Sequence, residues 1–517
     1  MRMRLARILV AAAVLWPGSP QAADLRIGLA ADVTSMDPHF LNLQPNVNVS
    51  WHVFDALTHV DENVRLIPGL AESWRALDAT TWEFRLRRGV RFHDGTEFTA
   101  EDVVFSIERT FQVHNGQFRT FTQRIVAKQI VDTHTVRLRT ATPYAMVPYD
   151  LNSVFIVSRK TAGGARSEDF DSGKAMNGTG PFRFVRFARG DRVELKHNDD
   201  YWGGKSSWEK VTFRIVPTDP ARLAGLLSGQ LDAIEQVPTA DLPRIRNDAG
   251  LRTAQKVSWR TIFFHLDQQH DRAPGLRDGA GRPLAGNPFR DLRVRRAISK
   301  AINRPAIAER LMDGSALPAS NLVSPPVFGH VPDLKPDAYD PEGAKRLLAE
   351  AGYPDGFAMT LAAPNNRYVN DEQIAQAVAQ MLARIGLRAR VETLPINSYL
   401  SKGRNGEFAF AMLGWGSFSG DLALRSLVAT ANPDKGFGAF NWSGYSNPRV
   451  DDLLERAFAS VDEKRREALA QEAMRLAMRD YAVIPLHHQV ATWATRKPLA
   501  YAPRTDEFTF AHHFHAQ

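Results

Sequence analysis

From Val211 onward, strand-length runs alternate with helix-length runs, and each helix carries its own start and stop signals. Residues 211–216 alternate apolar and polar side chains as a half-buried strand does. Asp219 can cap and Pro220 can start the helix that follows, with Gly229 at its end. Asp340, Pro341 and Gly352 repeat the same grammar around a second helix. A third, over 371–385, stops at Gly386 and hands the chain to a strand over 387–394. Alternation of this kind restricts the chain to α/β lobes. At 517 residues it is too long for one core, so two or three domains are expected.

The earlier part is punctuated as clearly. Residues 24–30 read as a strand and 32–39 as a loop. Trp82, Phe84 and Leu86 share one face of a strand over 82–86. His93-Asp94-Gly95-Thr96 is a turn, because Asp-Gly supplies the backbone a tight reversal needs. Thr99 caps a helix in which Val103, Ile107 and Phe111 recur every four residues. The polar, Gly/Pro-rich residues 270–286 form a surface loop after a strand over 261–267.

One stretch is built to present something. FAFAMLGWGSFSGD (408–421) begins as an apolar run, 408–413, fit for a strand covered on both faces. It then breaks into Gly414, Trp415, Gly416, Ser417, Phe418, Ser419, Gly420 and Asp421. Glycines let a backbone approach a ligand closely, and the residues between them offer two rings, two hydroxyls and a carboxylate. The bland alternative is a strand ending in a turn with its rings in the core.

Composition narrows the classes. The apolar 44% and charged 24% are those of an ordinary globular protein. Arg2, Arg4 and Arg7 supply three of the eight excess positive charges, and no Lys/Arg block or basic stripe follows, which argues against nucleic acid. Those arginines, the apolar residues 8–16 and the small, polar residues 17–23 read as an export signal, cleaved after Ala22 or Ala23. The chain has no cysteine, so thiol catalysis, disulfides and a lipid-modified cysteine are out, as suits an oxidising periplasm. Neither H-E-x-x-H nor G-x-S-x-G occurs, and Gly204-Lys205-Ser206 lacks the phosphate-loop glycine, since position 199 is aspartate. No catalytic set stands out. Histidines gather at His487-His488 and at His512, His513 and His515, but a metal site needs ligands converging on one point, and no metal or cofactor is expected.

The run AESWRALDATTWEFRLRRGVRFHDGTEFTAEDVVFSIERTF (71–111) resembles the signature region of the extracellular solute-binding proteins of ABC importers for peptides, nickel and opines, family 5. Asn177-Gly178-Thr179-Gly180-Pro181-Phe182 resembles that family's G-T-G-P-F segment. Asn287-Pro288-Phe289 with Asp291–Ile298, and Tyr339–Ala344 with Ala351–Pro354, resemble its later helix motifs, in the expected order. Phe263-Phe264-His265 departs from it where an asparagine is usual.

The resemblance implies an α/β, periplasmic-binding-protein type II-like clamp, two-lobed and hinged, with an extra subdomain in the first lobe. Lobe I would take 24–50, 177–268 and 490–517, the subdomain 51–176, and lobe II 269–489. It implies a monomeric periplasmic receptor, not an enzyme, that passes a peptide or small molecule to permease and ATPase subunits. Dipeptide-binding relatives pair the ligand amine with an Asp in G-W-x-x-D. Here that place falls on Phe418, with Asp421 three residues on as the substitute or, alternatively, a helix cap. Arg367 lies in the loop 364–370, where relatives carry their carboxylate-binding arginine; alternatively, it forms a surface ion pair. The expected ligand wall is therefore Trp415, Ser417, Phe418, Asp421 and Arg367, with His488 serving the alternative of a metal-chelate or haem receptor. An exported chaperone is the reading from another class.

Overall fold

A computed structural model describes residues 23–516; the expected export segment lies outside them apart from Ala23. The framework is one eleven-stranded mixed sheet. From one edge its order is Arg388–Leu394, Ala358–Pro364, Phe410–Trp415, Leu251–Leu266, Ile484–Arg496, Ala233–Ile234, Ala23–Leu29, Trp208–Ile215, Arg192–His197 and Phe182–Ala188. Ala316–Pro318 pairs separately with Ile484–Arg496.

Two long strands run through both halves. Leu251–Val257 pairs with Val490–Arg496 in one half, and Thr261–Phe264 with Ile484–His488 in the other. Ser258, Trp259 and Arg260 drop out of the ladder between them. Such a bulge bends a strand and re-aims its side chains. Here the chain's last segment holds it open: Trp259 donates its backbone N–H to the Thr505 carbonyl at 2.9 Å, and Ser258 Oγ donates to Glu507 Oε1 at 2.6 Å. Only the second half of the first crossing strand is legible as a strand in sequence.

Each half has its own core. Leu25, Ile27, Val49, Phe182 and Phe213 belong to one, Ile262, Phe264, Ile298, Ile374 and Phe410 to the other. The strand Phe410–Trp415 is covered on both faces, which accounts for its unbroken apolar run. Phe410 and Met412 enter the second core, while Ala411 and Leu413 enter a third that contains Leu424 and Leu427. The strand ends two residues later than the sequence indicates. The same third core extends into a four-stranded sheet, Ala71–Ala76, Thr81–Leu86, Thr135–Thr140 and Ile125–Asp132, capped by the helix Ala100–Gln112. Val103 and Ile107 of that helix are fully buried, but Phe111 is 42% exposed and falls off the packed face.

The turn and the glycine segment that stand out in sequence meet in space. His93 donates its backbone N–H to the Gly178 carbonyl at 2.8 Å, and Asp94 donates its own to Asn177 Oδ1 at 3.0 Å. A Cβ on Gly178 would lie 1.9 Å from the Val53 carbonyl oxygen, so only glycine fits there. His93 and Asp94 are structural. The helix grammar holds with one shift: Asp340 caps Pro341–Glu350, Gly229 closes Asp219–Ser228 with φ of 78°, but Thr218, not Asp219, occupies the cap position.

Candidate functional site

Between the two halves lies a cleft with two chambers of about 630 and 620 Å³, within the usual range for small-molecule sites. Gln44, Arg260, Arg367 and Tyr368 line both chambers and mark their junction. The first chamber is aromatic, lined among others by Trp51, Trp259, Trp415, Phe418, Phe440 and Phe508. Phe418 meets Trp259 edge-on with centroids 4.9 Å apart, and Trp415 packs on Phe440 at 4.8 Å. The second chamber is more polar and includes Ser315, Gln489, Thr492 and Glu235.

The bulge supplies the junction. Arg260 donates through Nη2 and Nε to Glu507 at 2.8 and 3.2 Å. Burial alone would push the Glu507 carboxyl up, but the Arg260 charge and hydrogen bonds outweigh it and hold it below the usual carboxylate range. Arg367 is placed by its own backbone: Asp371 Oδ2 accepts the N–H groups of Arg367 and Tyr368 at 2.9 and 3.0 Å. Its guanidinium lies 5.8 Å from the Tyr368 ring centroid, and among the described residues it takes no hydrogen bond or ion pair. Burial and then the Arg260 charge push it below the usual arginine range. Tyr368 in turn donates its hydroxyl to the Gly414 carbonyl at 3.0 Å.

Of the residues expected from sequence, Trp415, Ser417, Phe418 and Arg367 line the aromatic chamber. Ser417 Oγ is already engaged, donating to the Ser419 carbonyl at 2.8 Å. The glycines serve packing: a Cβ on Gly414 would come within 2.6 Å of Tyr368 and Ile262, and one on Gly416 within 2.7 Å of the Trp259 indole nitrogen. They admit side chains of this chain, not the close ligand approach expected from sequence.

Asp421 does not face the cleft. It is fully buried behind the wall, accepting from Arg466 Nε at 2.7 Å and Nη2 at 3.3 Å, from Ser419 Oγ, and from the Leu422 N–H at 2.9 Å. Burial pushes its carboxyl up, but Arg466 more than compensates and holds it below the usual range. Nor is it the cap, since Ser419 occupies that position of the helix Gly420–Leu427. The sequence gives no view of this pair, because Arg466 lies 45 positions away.

His488 is also removed from both chambers. It is 2% exposed, its Nδ1 is 2.8 Å from Thr261 Oγ1, and burial pushes it down to about 3, so it is neutral near pH 7. No histidine lines either chamber among the described residues, and none of these residues form a group of three or more metal-ligating side chains.

Sequence reasoning misses Trp259, Arg260, Glu507 and two charged residues of the aromatic chamber, Asp150 and Arg425. Asp150 accepts from the Tyr144 hydroxyl at 2.8 Å, and burial pushes its carboxyl up to about 7. Unfolded, this carboxyl titrates near 3.8. Below that pH both states hold the proton and Asp150 is neutral to stability. As pH rises towards 7 the unfolded state ionises first, so wild type loses stability that Asp150→Asn retains. The gain of Asp150→Asn over wild type in urea midpoint is therefore expected to grow between about pH 4 and pH 7 and then level off. A gain independent of pH would show that Asp150 titrates as it does in the unfolded chain.

The sequence profile of bacterial extracellular solute-binding proteins, family 5 Middle, matches residues 65–430. The dipeptide-binding protein of Escherichia coli (strain K12) is 30% identical over 447 residues, 81% of this chain and 79% of that protein. Heme-binding protein A of Haemophilus influenzae is 28% identical, covering 82% of this chain and 79% of its own. Among solved structures, the periplasmic binding protein DppA from Helicobacter pylori, in complex with the peptide STSA, superposes with a TM-score of 0.76 at 24% identity over 96% of this chain and 98% of its own. The two halves, the crossing strands and the cleft between them are the type II two-lobed clamp, and the chain belongs to the bacterial extracellular solute-binding proteins, family 5.

Proposed function

We propose that this chain is the periplasmic receptor of an ABC importer, capturing peptides or peptide-like molecules between its lobes and delivering them to a membrane permease coupled to separate ATPase subunits. The observation that carries the reading is a cleft, ringed by aromatic side chains, whose junction holds an arginine that makes no hydrogen bond or ion pair among the described residues. A peptide presents the matching chemistry: backbone amides for uncommitted polar groups, apolar side chains for the rings, and a terminal carboxylate for Arg367. The histidines that would favour a haem reading, His488 and the terminal ones, line neither chamber.

The lobes are 24–50 with 177–268 and 490–517, and 269–489, with 51–176 as the subdomain. They hinge where the ladder between the two crossing strands lapses, at Ser258–Arg260 opposite Gln489. Hydrogen bonds already join the halves in this structure: Asn370 Nδ2 donates to Thr239 Oγ1 at 2.9 Å, and the Ala145 N–H to the Phe458 carbonyl at 2.7 Å. A ligand favours this enclosed form only through contacts it lacks in the open form. Export through residues 1–23 and action as a monomer complete the reading; among the described residues no helix is long and apolar enough to cross a membrane.

Small-angle scattering tests closure. Protein stripped of ligand by unfolding and refolding is expected to have a larger radius of gyration, and to contract when the eluted ligand is returned. An unchanged radius with ligand bound would contradict a hinged receptor.

A further inference from the structure

The charged groups lining the cleft differ in how far the protein already engages them, and this narrows the ligand class. In the second chamber Glu507 is matched by Arg260, and Asp219 by Arg222 Nη2 at 2.6 Å. Glu235 is buried with both carboxylate oxygens engaged, Oε1 accepting from the Ala30 N–H at 3.1 Å and Oε2 from Thr509 Oγ1 at 2.6 Å. In the aromatic chamber Asp150 is the single carboxylate among the described lining residues; the Tyr144 hydroxyl holds it, and Arg425 is its charged neighbour. Arg425 reaches Tyr144 only at 3.4 Å and buries an Nε–H with no acceptor. Among the described residues the Arg367 guanidinium makes no hydrogen bond or ion pair with a carboxylate, and Glu507, the acid whose charge acts on it, is bonded to Arg260. A buried charge without a partner is costly, so this cleft penalises a ligand ammonium and rewards a ligand carboxylate.

Two neutral groups point the same way. Trp259 Nε1 is a buried donor and Gln489 Oε1 a buried acceptor, each without a partner in the protein, and each lines a chamber. Buried polar groups are nearly always paired, and an amide C=O and N–H are the complements these two lack.

We propose that the cleft takes an apolar peptide or acylated amino acid whose amino end is blocked and whose carboxylate is free. The carboxylate sits on Arg367, the apolar groups fill the aromatic chamber, and amide groups satisfy Trp259 Nε1 and Gln489 Oε1. This rests on the reading of the chain as a peptide-type receptor.

The test uses Leu-Phe and Leu-Phe-Leu, each free, N-acetylated and C-amidated, titrated calorimetrically into ligand-stripped protein. N-acetylation is expected to tighten binding, and C-amidation to weaken it, each on the order of 10–100-fold, as for other buried charge pairs made or lost. Arg367→Gln is expected to abolish the preference for acid over amide, leave the preference for acetylated over free, and keep the apo melting temperature, since its guanidinium makes no hydrogen bond or ion pair among the described residues. Free peptides binding as tightly as acetylated ones would overturn this proposal and leave the receptor reading standing. If no peptide form binds while haem does, the peptide reading itself fails and this proposal with it.

Discussion

Asp421→Ala is expected to destabilise the protein by about 3–5 kcal/mol, the usual cost of removing one member of a buried ion pair, while ligand affinity of the folded protein stays unchanged. The loss comes from Arg466, which is 3% exposed and stacked between Phe328 and Tyr149, with its guanidinium carbon 4.4 and 4.7 Å from their ring centroids. With Asp421 gone, that charge loses the one carboxylate bonded to it among the described residues and keeps the two rings. Removing both charges together, as Asp421→Leu with Arg466→Met, should cost less than Asp421→Ala alone, because no orphaned charge is left. Chemical denaturation of the three proteins measures this. An unchanged denaturation midpoint with lost affinity would place Asp421 at the ligand after all.

Trp259→Ala is expected to have the largest effect on binding, weakening it by a factor of about 30 or more, as truncation of a central aromatic contact does. The indole stands at the bulge between the lobes, edge-on to Phe418 at 4.9 Å and near Phe508 at 6.3 Å, and it carries an unpaired buried N–H. Removing it takes a wall and a donor from the ligand at once. Half-buried beside a cavity, it supports the apo fold less than Asp421 does, so its melting temperature should fall less than that of Asp421→Ala. Calorimetric titration with the co-purifying ligand reads the first effect and a thermal melt the second. An affinity within a factor of about three of wild type would remove Trp259 from the binding surface.

The parts of the fold that could be read from sequence are those whose signals are local. Capping residues such as Asp340, left-handed glycines such as Gly229, and the doubly covered run before Gly414 each encode their structure within a few positions. The first half of Leu251–Leu266 is only partly buried on both faces, so its residues show no alternation, and half of a hinge strand goes unrecognised. The site divides in the same way. Trp415 closes a strand, and Phe418 and Arg367 lie in loops just beyond strand ends, where ligand walls are commonly built. Glu507 reaches Ser258 across 249 positions, and nothing near residue 507 in sequence announces that role. Asp421 misleads for the mirror-image reason. A carboxylate on a glycine-rich loop resembles a ligand contact until its distant arginine is known.

Native mass spectrometry of the protein purified from a periplasm, followed by denaturation and sequencing of what is released, tests the central claim most directly. A peptide or acylated amino acid bound one to one, and lost on unfolding, is the predicted result. A haem or metal chelate in its place would contradict the account.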